Sequence, residues 1–353
     1  MEFKNSTNNQ VYDYVFRKII LSLKRGISIA TSPTDFFSFN SRELMLSYLK
    51  STLNSMFDSV SAAGTDTYEF NMLEIGSGSG EPIDWFFAKE FSHRKELQKI
   101  DYKVNIIEPN SRFIKLYKER INKYQHLIKL GMAYNGKVQD YYDENLSDEE
   151  RSQLPSLPKD SLDFIDCMHM IYHLQNLVKF LYGLLKPGGA IFMVFIDSSE
   201  SFLKINSSFH KEVLKNTEIS SRMSQTVKAR HELLYEKQIL PTLQESEDSN
   251  SSSSTSHRTR PKVESYKMNT TYFAKTLADM AALGSASELL TCNEEPFDIR
   301  ILEFVLDKLK STALQDSDDA VKEINLCRSK RDEEDVWMVE HPQIICVIHK
   351  EVI

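Results

Sequence analysis

Cysteine is sparse in this chain and never clusters. The four, Cys167, Cys292, Cys327 and Cys346, lack the short spacings that hold a metal ion, so no metal is expected. They read as reduced thiols in the core or in strands, which excludes a disulfide framework and fits a cytoplasmic protein. Positive charge is also short: the formal net charge is −8, and the strongest basic run, His257 to Lys262, reads as a solvated linker. Nucleic-acid backbones are bound through clustered Lys and Arg, so nucleic acid is excluded as a substrate. Long hydrophobic runs are missing as well. The amino terminus MEFKNSTNNQ has no apolar signal core, and no stretch approaches the length of a membrane span, so no membrane partner is expected. A hydrophobic fraction of 41% over 353 residues allows one large domain with additions.

What is present begins at Met72 to Pro82, MLEIGSGSGEP. Met72, Leu73 and Ile75 make a buried strand, and Gly76, Gly78 and Gly80 let the backbone turn sharply and approach a ligand without a Cβ in the way. The residues Ile83 to Phe91 read as a helix whose first N–H groups face an anion. The spacing is G-x-G-x-G, not the G-x-G-x-x-G of dinucleotide sites, and no lysine follows as in a phosphate loop. Glu81 would sit badly against a pyrophosphate. The loop therefore points to S-adenosylmethionine, against the alternative of an ordinary strand-to-helix turn.

A second strand, Tyr102 to Ile107, ends on Glu108, placed to accept hydrogen bonds from both ribose hydroxyls at the crevice where strand order reverses. The alternative for Glu108 is a solvated carboxylate. A helix follows from Ser111 to Tyr124, then an apolar stretch over Leu127 to Ala133 and a candidate third strand near Lys137. Gln139 and Asp140 fall just past it, where an adenine edge would lie. Leu162 to Met168 is the fourth strand, Leu174 to Leu185 a helix, Lys186-Pro187-Gly188-Gly189 a turn and Ala190 to Ile196 the fifth strand. Thr270 to Leu283 has helical periodicity with Gly284 as its stop. Leu289 to Cys292 and Gln343 to His349 read as further strands. Continuous apolar strands separated by helices require a parallel sheet covered on both faces. The expectation is an α/β fold of the class I methyltransferase type: a Rossmann-like three-layer sandwich with a mostly parallel, seven-stranded sheet and helical substrate-binding additions.

The segments divide into an amino-terminal helical cap (1–62), a cofactor-binding core (63–197), a helical insertion (198–267) and a carboxyl-terminal part (268–353) that completes the sheet. The cap holds helices near Val11 to Leu23 and Ser41 to Phe57. Within the insertion, the run from Gln244 to Arg260 is too rich in serine and charge to bury enough apolar surface for order. Ile299 to Leu309 reads as a helix.

Several features together resemble the histamine N-methyltransferase family. They are Tyr12 with Phe16-Arg17, the glycine loop, IIEPN followed by Tyr117-Lys118-Glu119, Asp163 to Ile165 with Met170 and Tyr172 behind, the helix around Ile301 to Leu306 and the closing IICVIHK. The resemblance covers most of the chain, with the serine-rich run as an insertion. It implies cofactor contacts at Gly76 and Glu108 and at the positions of Phe113, Gln139 and Met168. A phenylalanine at 113 stands where the family has an amide. For the acceptor it implies a small amine in a pocket made by Tyr12, Phe16, Tyr172 and Phe304. His169, His173 and His341 replace the family's polar contacts, and Glu43 stands as its carboxylate, with Ser41 the alternative.

Three polar contacts changed in type point to a related acceptor. An amine arrives protonated at neutral pH, and His169 or His173 is placed to take that proton. Aromatic side chains hold a flat cation, although on amphipathic helices they are often core. The expected function is S-adenosylmethionine-dependent N-methyl transfer to a small amine, histamine by default, by a monomer. The alternatives are another imidazole-bearing or biogenic amine, or a protein that binds cofactor without transfer.

Overall fold

The computed structural model describes residues 51, 68–78, 80, 100–168, 174–196, 202–215, 243, 259–285, 300–314, 326–331 and 334–352. The chain divides into two compact units, one of residues 41–195, 233–266 and 345–353, the other of 1–40, 196–232 and 267–344.

In the first unit, β1 (Tyr68–Ile75) pairs in parallel with β2 (Ile100–Ile107), and β2 with β3 (Ile128–Tyr134). On its other edge β1 pairs in parallel with β4 (Leu162–Met168), and β4 with β5 (Leu185–Ile196). The sheet order is β3-β2-β1-β4-β5-β8-β6, in which β6 (Thr259–Ala274) and β8 (Glu334–Val352) each run through residues of both units, and β7 (Leu326–Arg331) of the second unit pairs antiparallel with β8 off this path. The order reverses between β1 and β4, and their carboxyl ends flank the glycine loop. This is the expected class I, Rossmann-like, mostly parallel sheet.

The strands form because their residues are apolar on both faces: Leu73, Ile106, Phe164, Ile165, Ile191 and Phe192 have no exposed surface. Helix α1 (Ser111–Lys123) starts at Asn110, whose side chain accepts from Arg112 N at 3.0 Å. It buries Phe113, Ile114, Tyr117 and Ile121, one stripe at helical spacing. Each such side chain contributes roughly 1.5–3 kcal/mol by leaving water. Helix α2 (Asp148–Gln153) carries a Ser147–Glu150 capping box, and α3 (Leu174–Leu184) leads into β5. At the other end of the sheet, Asp163 is fully buried and accepts from Tyr68 Oη (2.7 Å), Asn71 N (2.7 Å) and Lys186 Nζ (2.9 Å), tying β1 to β4 and β5.

In the second unit, α4 (Phe202–Glu212), α5 (Leu277–Gly284) and α6 (Arg300–Leu314) share a core of Phe202, Phe209, Met280, Leu302, Val305 and Leu309, with Leu326 of β7.

Several elements differ from the sequence reading. The third strand is the 128–134 stretch itself, and the residues after Lys137 form a 3-10 turn, because Asp140 bonds back to Lys137 N at 2.9 Å and closes it. Thr270 opens no helix: β6 runs to Ala274, and Thr276 then caps α5 by accepting from Asp279 N. Thr259 to Lys262 is strand, not linker, with Arg260 paired to Glu351 at 2.9 Å and Lys262 to Glu264 at 2.8 Å. The KPGG turn lies inside β5, where Gly188 has φ 87° and the register with β4 shifts. The helices read at 11–23 and 83–91, and the strand at 289–292, lie outside the described residues; of the helix read at 41–57 only Ser51 is described, and it is helical.

Candidate active site

The carboxyl ends of β1 and β2 meet in one hydrogen-bonded unit. Gly76 N donates to Ile107 O at 2.9 Å, and Gly80 N to Ser77 O at 3.1 Å, which folds the glycine loop into a tight turn. Gly78 and Gly80 have φ of 54° and 76°, in the left-handed region that side chains avoid. They differ in surroundings. A Cβ at Gly80 would lie 2.6 Å from the Tyr117 ring, whereas one at Gly78 meets no described residue within 4 Å. Gly80 is a packing glycine, and the Cβ position at Gly78 meets no described residue.

Glu108 is the second part of the unit. Its carboxylate accepts from Gly78 N at 3.0 Å and from Asn110 N at 2.9 Å, so it joins the loop to the start of α1. Asn135 fixes the backbone there by donating to the carbonyls of Glu108 (3.1 Å) and Pro109 (2.9 Å). Burial pushes the Glu108 carboxyl up to about 7, against the two backbone donors that lower it. Each carboxylate oxygen keeps a lone pair for a further donor. Along the same crevice, the 3-10 turn Val138–Tyr141 carries Gln139, whose buried Oε1 has no partner among the described residues.

Among the described residues, the freedom at Gly78, the paired acceptor oxygens of Glu108 and the unmet acceptor of Gln139 make a cradle for a ligand rich in hydroxyl and amine donors. Among the described residues no group of three His, Cys, Asp or Glu side chains is placed to hold a metal ion. A family model described as a methyltransferase domain matches residues 42–230, more than half of the chain. The chain belongs to the methyltransferase domain family. Its cofactor is S-adenosylmethionine, whose ribose diol, adenine amine and bulk fit the donors and space this crevice lacks.

The methyltransferase is 26% identical over 146 residues to histamine N-methyltransferase of Xenopus tropicalis, covering 40% of this chain and 46% of the relative. It is 22% identical over 146 residues to carnosine N-methyltransferase 2 of Gallus gallus, covering 40% and 42%. The chain thus spans about half the length of the curated relatives it matches. Among solved structures, the candidate methyltransferase of Bacillus halodurans has a TM-score of 0.42 at 13% identity, covering 84% of this chain and 100% of that one. Phosphoethanolamine N-methyltransferase 2 of Haemonchus contortus has 0.37 at 12%, covering 84% and 52%.

Of the residues singled out in the sequence, the structure brings Gly76, Gly78, Gly80, Glu108 and Gln139 to the ends of β1, β2 and β3. Phe113 is buried in the apolar stripe of α1 and its N–H bonds Asn110 O at 3.0 Å. Met168 ends β4. Phe304 lies on α6, part-buried, 5.6 Å from the Phe209 ring and with Lys308 Nζ 5.1 Å over its own. His341 falls within β8. Tyr12, Phe16, Glu43, His169, Tyr172 and His173 lie outside the described residues. The sequence reading missed Asn110, Asn135 and the packing of Tyr117 under Gly80. Of these only Asn110 carries a local signal, an N-cap residue directly before a helix.

Proposed function

We propose that this methyltransferase transfers a methyl group to the nitrogen of a small imidazole-bearing amine, histamine in the first instance. The observation that carries the reading is the similarity to N-methyltransferases named for histamine and for carnosine, two imidazole-bearing amines. The carnosine relative favours a second reading, in which the acceptor is an imidazole dipeptide.

When bound, S-adenosylmethionine supplies a methyl group already activated on a sulfonium, ready for in-line displacement. The protein's part is to hold the donor and present an unprotonated amine. In this reading Glu108 accepts from the ribose hydroxyls, and Gly76, Gly78 and Gly80 bring backbone against the donor, with Phe113 and Met168 on its apolar side. His169 or His173 takes the proton from the amine nitrogen, and Tyr12, Phe16, Tyr172 and Phe304 enclose the flat acceptor. Glu43 and His341 complete its polar contacts.

The Glu108 role carries a pH signature. Its carboxyl must be ionised to accept from two hydroxyls, and in the free protein it titrates at about 7. Affinity for S-adenosylhomocysteine should therefore fall by about tenfold per pH unit as pH drops below that value. Glu108→Gln should bind weakly and lose this dependence in calorimetry. A variant that kept wild-type affinity at pH 8 would remove Glu108 from the site.

The acceptor is tested by label transfer from methyl-labelled donor to histamine, histidine, carnosine and phenethylamines, with products identified by mass. Methylation of histamine or carnosine above the phenethylamines is expected. His169→Ala should lower turnover while leaving donor affinity unchanged. Donor binding without transfer to any amine would sink the reading in favour of a protein that holds cofactor for another purpose.

A further inference from the structure

Asparagine is a poor strand former, yet Asn105 stands within β2 with only 8% of its surface exposed. A buried amide is costly unless its polar atoms are met. Asn105 meets them across both neighbouring strands. Its Nδ2 donates to Met72 O of β1 at 3.1 Å, and its Oδ1 accepts from Met132 N of β3 at 2.9 Å. Only this orientation of the amide serves both, because a backbone N–H can only donate and a carbonyl only accept.

The Met132 N–H needs such an acceptor because β3 carries one residue more than β2. Val104 pairs with Leu130 and Ile106 with Ala133, so Gly131 and Met132 together stand opposite Asn105. This is a β-bulge, uncommon in a parallel pair, and its extra residue drops out of the ladder. Gly131 makes the room: a Cβ there would lie 2.5 Å from Asn105 Oδ1 and 2.8 Å from Lys103 Cε. The asparagine and the glycine are therefore matched across the two strands.

The bulge decides what stands at the ends of β2 and β3. Beyond it Ile107 pairs with Tyr134, Glu108 N donates to Tyr134 O at 3.1 Å, and Asn135 Nδ2 reaches the carbonyls of Glu108 and Pro109. Without the bulge, β3 would slip by one residue past Leu130. Each later side chain would then move about 3.3 Å along the strand and turn to the other face, which takes Asn135 off both carbonyls. Bulges recur beside active sites because they re-aim side chains in this way. We infer that Asn105, seated on Gly131, is a positioning residue for the methyl donor: it pins the bulge that keeps Asn135 on the Glu108 backbone and so holds the Glu108 carboxylate toward the donor's ribose.

The test is calorimetry of S-adenosylhomocysteine on the full chain, with thermal melts alongside. Asn105→Val should bind roughly tenfold more weakly, the usual effect of one hydrogen bond misplaced in a buried site. Deleting Gly131 from Asn105→Val should restore wild-type affinity, since a ladder without the bulge again pairs Tyr134 with Ile107 and needs no amide. Asn135→Ala, at an exposed position, should weaken binding by itself and add no further loss to Asn105→Val, because both changes act through one contact. If Asn105→Val failed to fold, Gly131→Ala on the exposed edge strand would take its place, pushing the amide aside and weakening binding in the same direction. An asparagine that only stabilised the sheet would lower the melting temperature and leave affinity unmoved. That result, additive losses with Asn135→Ala, or no rescue on deleting Gly131 would each overturn the role. The role rests on Glu108 as the ribose acceptor, and the two fail differently: wild-type affinity in Glu108→Gln removes that reading, whereas weak binding by Glu108→Gln beside wild-type binding by Asn105→Val removes the positioning role alone.

Discussion

Gly78→Arg should fold and yet fail to bind S-adenosylhomocysteine at concentrations that saturate the wild type, a loss of at least about 100-fold, or roughly 3 kcal/mol. The expectation comes from the contrast between neighbouring glycines. A Cβ at Gly78 meets no described residue within 4 Å, so a side chain there is accommodated by the fold and fills the space beside the loop. Its backbone sits at φ 54°, which costs an arginine roughly 1–2 kcal/mol and should lower the melting temperature by only a few degrees. Gly80→Ala should do the opposite. Its Cβ would lie 2.6 and 2.9 Å from two ring carbons of Tyr117, which is fully buried and has no room to swing aside. Overpacking of this kind costs about 1–3 kcal/mol, added to the strain of φ 76°. Thermal melts and calorimetry on both variants separate the effects. Wild-type affinity in Gly78→Arg would mean that the loop is not the cradle.

The parts of this site legible in the sequence are those written in short range. G-x-G-x-G after an apolar run and an acidic residue ending the next strand each need only local chemistry, and both stand where expected. Asn135 and Tyr117 were not legible, because their roles depend on chain far away. Asn135 holds the carbonyl of a residue 27 positions earlier, and Tyr117 meets Gly80 only once α1 packs on the sheet. The same reason explains the misread stretch from Thr270. Its helical periodicity is real, but residues 270–274 pair with the sheet, and tertiary pairing overrides a local pattern. Arg260 and Lys262 looked like linker charges for want of their partner: Glu351 lies about ninety residues further on.

Replacing Asp166 by Asn should make the methyltransferase more resistant to unfolding at neutral and alkaline pH. The parallel register of β4 with β1 sets Asp166 beside Glu74, with 3% and 1% of their surface exposed. Strand spacing places such neighbours about 4.8 Å apart, too close for two charges to share cheaply in a buried place. Tyr117 of α1 faces the same pair. The Tyr117 phenol is raised first by burial, then by Glu74 and Asp166, and lowered by Arg120. Burial pushes the Asp166 carboxyl from its ordinary 3.8 up to about 7. The folded chain then keeps a proton that the unfolded chain has already lost. Stability from this group is full below pH 3.8, declines as pH rises through that window, and is gone above about 7. The slope is about 1.4 kcal/mol per pH unit, on the order of 4 kcal/mol in all. An asparagine has no proton to lose, so the variant lacks this decline. Urea unfolding at pH 5, 6, 7 and 8 should show wild type losing ground to Asp166→Asn up to about pH 7, with a constant gap beyond. Parallel curves across the whole range would mean that Arg120 holds Asp166 ionised alongside Glu74, and that the cluster under the glycine loop is an ion network, not a carboxyl pair sharing one charge.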